Sequence, residues 1–205
     1  MSNKMASLGK ACFLTKQETH NQDLVDGRAC YKCSPPVELS KPQEVLAHMG
    51  AHILYDARII VNLEPCGLCL RTGVCTFHLR KGRGADGGVQ VDYKKSTCPG
   101  MVEFNYKVAA QPTKSSPCSN VPLHCPGCPS TAPAIWRYNL KEHLKNKHPH
   151  LRVNDYKDMW KLSKTELEDL KRKWVERNKV KKRRKRTQRS NLVISEAHTS
   201  VAVMQ

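Results

Sequence analysis

Six of the ten cysteines stand in three Cys-x2-Cys pairs, Cys30/Cys33, Cys66/Cys69 and Cys125/Cys128. Two of these pairs are followed by paired histidines. The first reads C-x2-C-x14-H-x3-H through His48 and His52, and the third reads C-x2-C-x14-H-x4-H through His143 and His148. A disulfide framework has no need of cysteines two residues apart followed by histidines one helical turn apart. A tetrahedral zinc ion does: two thiolates on a tight knuckle and two imidazoles on one helix face converge on a single point. The spacing therefore predicts folding around metal ions and not around one large core.

Composition agrees with small stapled modules. Of the 205 residues 39% are hydrophobic and only 6% aromatic, with twelve prolines and eleven glycines between short patterned stretches. The N-terminal stretch has no apolar segment of a secretory signal, and no run reaches a membrane span, so the expected setting is intracellular and reducing, where thiols bind metal. The formal charge of +17 becomes about +15 with three zinc ions on eight thiolates, which favours nucleic acid or another anionic partner.

The chain divides by pattern. Residues 1–27 are polar and unpatterned. Residues 28–57 carry the first pair and a helix, with Ser40 as its N-cap and Pro42 in the first turn. Residues 62–120 read as a zinc-ribbon-like β module of three alternating segments, VCTFHLR, VQVDYKK and MVEFNYKVA, which predict an antiparallel meander. Residues 121–150 repeat the first plan, with a helix over WRYNLKEHLKNKH stopped near Pro149. Leu140 is placed to pack under the metal, and Trp136 or Tyr138 to supply aromatic bulk.

Residues 154–189 predict a short helix through Trp160, then a long helix. Ser163 and Glu166 have capping-box spacing, and Leu167, Leu170 and Trp174 share a stripe. That helix runs into KVKKRRKRTQR; residues 190–205 form an unassigned tail. The expected fold is thus α+β: two ββα-like or irregular C2H2 fingers flanking a β module, then a long basic C-terminal helix.

The middle pair needs two more ligands, and Cys75, His78, Cys98 and Cys118 are available. In an extended strand Cys75 shares a face with Phe77 and Leu79, the pattern of a buried apolar thiol, and His78 points the other way. Cys98 and Cys118 sit in turn-like contexts, TCPG and SPCSN. The preferred set is therefore Cys66, Cys69, Cys98 and Cys118, and the alternative keeps the pair and adds Cys75. Cys12 has no partner in either scheme. Thioredoxin-like chemistry at CGLC needs a βαβ context that the following segments do not offer.

Several stretches, EPCGLCL, VDYKKSTCP, SSPCSNVPLHCPGCPS, WRYNLKEHLKNKHP and LVISEAH, make most of residues 50–198 resemble uncharacterised C2H2-type zinc-finger proteins of mushroom-forming (basidiomycete) fungi. The resemblance implies zinc fingers and supports grouping the middle cysteines with the third finger. It implies no substrate, partner or catalytic residue.

Counting back from His143 as the seventh helical residue, the base-reading positions are Trp136, Asn139 and Glu142; from His48 they are Lys41, Glu44 and Ala47. Asn139 suits adenine and the glutamates suit cytosine, but Trp136 and Ala47 make a poor groove surface. The basic run carries the nucleic-acid case better. Lys179, Lys181, Lys182, Arg183, Arg184, Lys185, Arg186 and Arg189 suit phosphate contacts and nuclear import. The expectation is a nuclear, zinc-binding, nucleic-acid-binding regulatory protein, with a zinc-scaffolded protein-interaction module as the alternative. Membrane, small-molecule substrate and enzymatic roles are not expected.

Overall fold

The computed structural model describes residues 29–82 and 87–177. Twice the chain lays down two very short antiparallel strands and then a helix. Strands β1 (Ala29–Cys30) and β2 (Val37–Glu38) precede α1 (Pro42–Tyr55). Strands β5 (Pro122–Leu123) and β6 (Ile135–Trp136) precede α3 (Arg137–Lys147). Between them lie a 3-10 turn (Val61–Leu63), a hairpin of β3 (Leu79–Lys81) and β4 (Val89–Val91), and the one-turn helix α2 (Tyr106–Ala109). A second 3-10 turn (Val153–Tyr156), α4 (Lys157–Trp160) and α5 (Lys164–Glu176) complete the described chain.

Proline fixes the start of α1. Pro42 occupies the first turn, where its missing N–H costs nothing. The cap falls on Lys41, one residue later than expected, and Ser40 donates from N and Oγ to the Glu44 carboxylate. Helix α3 ends as the sequence predicts: His148 is its C-cap and Pro149 prevents a further turn.

The meander is only partly formed. The third segment contains no strand; Asn105 turns it into α2 by accepting from the N–H of Val108. Alternation there reflects one anchored ring. Phe104 is buried beside Trp136 and Tyr93, and the Tyr93 hydroxyl both donates to the Phe104 carbonyl and accepts from its N–H. Val108 and Val89 remain about half exposed.

The modules share a core. One buried cluster contains Leu46 and Ile53 of α1, Leu68 and Phe77 of the middle segment, Trp136 and Tyr138 around the start of α3, and Leu170 of α5. Composition suggests metal sites in place of a core. Instead Cys30, Cys33, Cys66 and Cys69 belong to one buried core, which draws on all four described segments of the chain. Trp136 and Tyr138 serve this shared core, while Leu140 and Leu144 pack with Cys125 in a smaller cluster under the third site.

Helix α5 lies against α1. Leu170 is fully buried there, contributing about 1.5–3 kcal/mol. Ser163 caps the helix by accepting from the Glu166 N–H at 3.1 Å. Glu166 does not return the bond as a capping box does. Its carboxylate is buried and accepts from Ser119 N, Ser119 Oγ and the Tyr138 hydroxyl at 2.6–2.7 Å. Leu167 of the expected stripe is accordingly turned outward. Described α5 stops at Glu176, so the basic run 179–189 lies outside the described residues, as do segment 1–27 and tail 190–205.

Candidate metal centres

Three groups of four Cys/His side chains each bring one ligand atom apiece within 4.8 Å of one another: Cys30/Cys33/His48/His52, Cys66/Cys69/Cys75/Cys98 and Cys125/Cys128/His143/His148. A zinc ion at about 2.3 Å from sulfur and about 2.0–2.1 Å from nitrogen defines a tetrahedron with S–N edges of about 3.6 Å and S–S edges of about 3.8 Å. The observed edges fall close to these lengths. In the first cluster Cys33 Sγ lies 3.2 Å from His52 Nε2 and 3.5 Å from His48 Nε2, and Cys30 Sγ lies 3.5 Å from His52 Nε2. In the third, Cys128 Sγ lies 3.3 Å from His143 Nε2 and 3.2 Å from His148 Nε2. In the middle, Cys66 and Cys98 sulfurs are 3.7 Å apart, and Cys69 and Cys75 sulfurs 3.4 Å. Two donor sets pair two thiolates with two imidazoles and the third is all thiolate; each fits zinc.

Each knuckle is built by the backbone. The N–H groups of Leu68 and Gly127 approach the first sulfur of their pairs at 3.4 Å. Gly127 is required because a Cβ there would lie 2.6 Å from the His148 ring, and Gly67 because a Cβ would lie 2.3 Å from Trp136. The histidines come from helices, where close spacing along the chain sets both rings over one ion.

Carboxylates orient the imidazoles. His52 Nδ1 is 2.9 Å from Asp56 Oδ2, and His143 Nδ1 is 2.8 Å from Glu64 Oε1. Each bond places the proton on Nδ1 and leaves the Nε2 lone pair facing the sulfurs. Arg58 in turn holds Asp56, and its hydrogen bond keeps that carboxyl well below the usual range. Sequence reasoning missed both carboxylates. Asp56 stands one helical turn after His52, a spacing that could have revealed it. Glu64, far from His143 in sequence, leaves no such signal.

The protonation chemistry suits a metal. Loss of solvent pushes His48 down to about 4 and also lowers His52, so both are neutral, the ligand form. Burial pushes the Cys30 thiol up to about 12, and metal uptake would displace its proton. Contact with Cys66 lowers the Cys69 thiol, and contact with Cys69 raises that of Cys66.

The middle set corrects the preferred expectation. Cys75 joins Cys66, Cys69 and Cys98, and Cys118 belongs to no cluster. Strand parity fails because regular β structure begins only at Leu79. Gly73, at φ +68°, bends the chain just before Cys75. A bridge between Thr76 and Thr97 then sets Cys75 beside Cys98. Cys118 is instead a buried thiol whose Sγ donates to the Leu46 carbonyl, and burial pushes it up to about 12. His78, His124 and His150 lie outside the clusters.

The base-reading positions are mostly taken. Trp136, Asn139 and Ala47 are at most 4% exposed. Asn139 donates from Nδ2 to the Pro65 carbonyl rather than facing solvent. Glu142 pairs with Lys145, and Glu44 with Ser40. No protein-family model, curated protein or solved structure matches this chain.

Proposed function

We propose that this chain is a nuclear, zinc-binding regulatory protein. Three structural zinc ions hold a scaffold in it, and its nucleic-acid contacts go to phosphates and not to base edges. The two outer clusters are C2H2 finger-like modules whose helices have been recruited into the interior. Burial of Asn139 and Trp136 carries this reading. A finger cannot present positions −1 and 3 to a groove when those side chains face Pro65 and Gly67 of its own chain. With four protein ligands per cluster, no position is left open for substrate, which supports structural and not catalytic zinc.

The anion-binding role falls to Lys179, Lys181, Lys182, Arg183, Arg184, Lys185, Arg186 and Arg189, and the same run serves as the nuclear address. Binding of the full chain to duplex DNA and to RNA should weaken steeply with salt and differ little between sequences. Deleting residues 179–189 should abolish most of it. A salt-independent affinity, or one untouched by the deletion, would refute the proposal.

One observation favours a second reading as a protein-interaction module. Tyr31, Ile60, Leu63 and Val74 are 42–60% exposed and line one groove, with Lys32, Arg58 and Arg71 beside them. An apolar floor with a cationic rim suits an acidic peptide segment bearing large apolar side chains. In that case a partner survives nuclease treatment and is lost in Ile60→Asp.

A further inference from the structure

We propose that the middle and third metal centres load as a coupled pair, with Glu64 as the positioning residue that joins them. This rests on the reading of both clusters as metal sites.

Glu64 lies two residues before Cys66, the first ligand of the middle cluster, yet its Oε1 meets Nδ1 of His143 at 2.8 Å. The Nε2 of the same ring faces Cys128 of the third cluster at 3.3 Å. A single side chain thus joins the lead-in of one knuckle to a ligand of the other site. Asn139 stands one helical turn before His143 on the same face of α3, and its Nδ2 donates to the Pro65 carbonyl at 2.8 Å. Trp136, next to the start of α3, covers Gly67 inside the middle knuckle so closely that no Cβ fits there. Residues 64, 65 and 67 around Cys66 are therefore all held by α3, the helix that supplies His143, and by the residue that leads into it.

The backbone points the same way. Glu64 has φ +53°, a left-handed conformation that disfavours an L side chain. Glycine would be the easier residue there if only a turn were required. The first site provides the contrast. Its buried histidine, His52, is oriented by Asp56 at the end of the same helix, with no residue borrowed from another knuckle.

A metal that fixes His143 also fixes Glu64, and with it the approach to Cys66. The middle metal does the reverse, and the two affinities must change by the same factor. The coupling is expected at about 5- to 150-fold.

The test uses the full, reduced, 15N-labelled chain titrated with zinc against a competing chelator. Amide signals of Cys33, Leu68 and Gly127 report the first, middle and third sites, and imidazole 15N signals report the His143 tautomer. Glu64→Gly should lower third-site affinity about 10- to 100-fold. It should also lower middle-site affinity and scramble the His143 tautomer. Glu64→Gln, which keeps an oxygen acceptor, should restore part of the loss. Asp56→Ala should affect the first site alone. A merely conformational role predicts the opposite for Glu64→Gly, since glycine relieves the left-handed backbone. Three occupied sites in the wild type, with middle-site affinity unchanged in Glu64→Gly whatever happens at the third site, overturn the coupling and leave the metal reading intact. A wild-type chain that takes up no zinc overturns both.

Discussion

Replacing Cys75 by alanine removes one of the four sulfurs of the middle cluster, whereas replacing Cys118 removes a buried thiol bonded to the Leu46 carbonyl. Cys75→Ala should therefore lose one bound metal ion per chain. Cys118→Ala should keep the full complement and lose about 1–2 kcal/mol of stability. Metal analysis beside denaturant unfolding separates the two. Pair spacing alone picks out the residues of the outer clusters and the Cys66/Cys69 knuckle, and its turn context picks out Cys98, which the fold brings into the middle cluster. Cys75 is misread because parity holds only within an extended strand, and Gly73 bends the chain just before it. Acid should act through the histidines. In the folded chain His48 sits at about 4, below its ordinary 6.5, so the unfolded chain binds the proton more readily. Stability then falls as pH drops from about 6.5 towards about 4. Denaturant midpoints of the metal-free, reduced protein should be lower at pH 5 than at pH 7.

Helix α5 depends on two contacts that only the folded chain brings together. Glu166 accepts three hydrogen bonds from Ser119 and Tyr138, and Trp174 lies edge-on against the His52 ring at 4.9 Å, with the Arg177 guanidinium over its face. Glu166→Ala leaves buried donors without a partner and should cost about 3 kcal/mol, read from the denaturation midpoint of the metal-loaded chain. Glu166→Asp, which is shorter, should recover little of it. At this scale the starts of α1 and α5 and the end of α3 are legible in the sequence, to within a residue, from Pro42, Ser163 and Pro149, whereas α2 is not. Which face is buried is not. The Glu166 carboxylate reads as a capping-box partner until Ser119 and Tyr138 are placed beside it. The third alternating segment likewise reads as a strand until Phe104 is seen anchored on Tyr93 and Trp136.

At the scale of the molecule, metal sites and core are one structure. Trp136 packs on Phe77 at 4.9 Å and closes over Gly67, while Tyr138 meets Glu166 of α5. Enlarging Gly67 to alanine should therefore disturb more than its own knuckle, with amide shifts that reach α3 as well as Cys66 and Cys69. Composition could not reveal this, because a low aromatic content says how little core there is and not that the modules share it. The same sharing keeps Asn139 and Trp136 out of any DNA groove, so the proposed phosphate contacts are assigned to residues 179–189 and not to the finger helices. All of this depends on the clusters holding metal, and native mass spectrometry of the intact, reduced chain tests that most directly. Three zinc ions per chain are predicted, one for each Cys/His cluster. A folded, reduced chain that carries two or fewer contradicts the account.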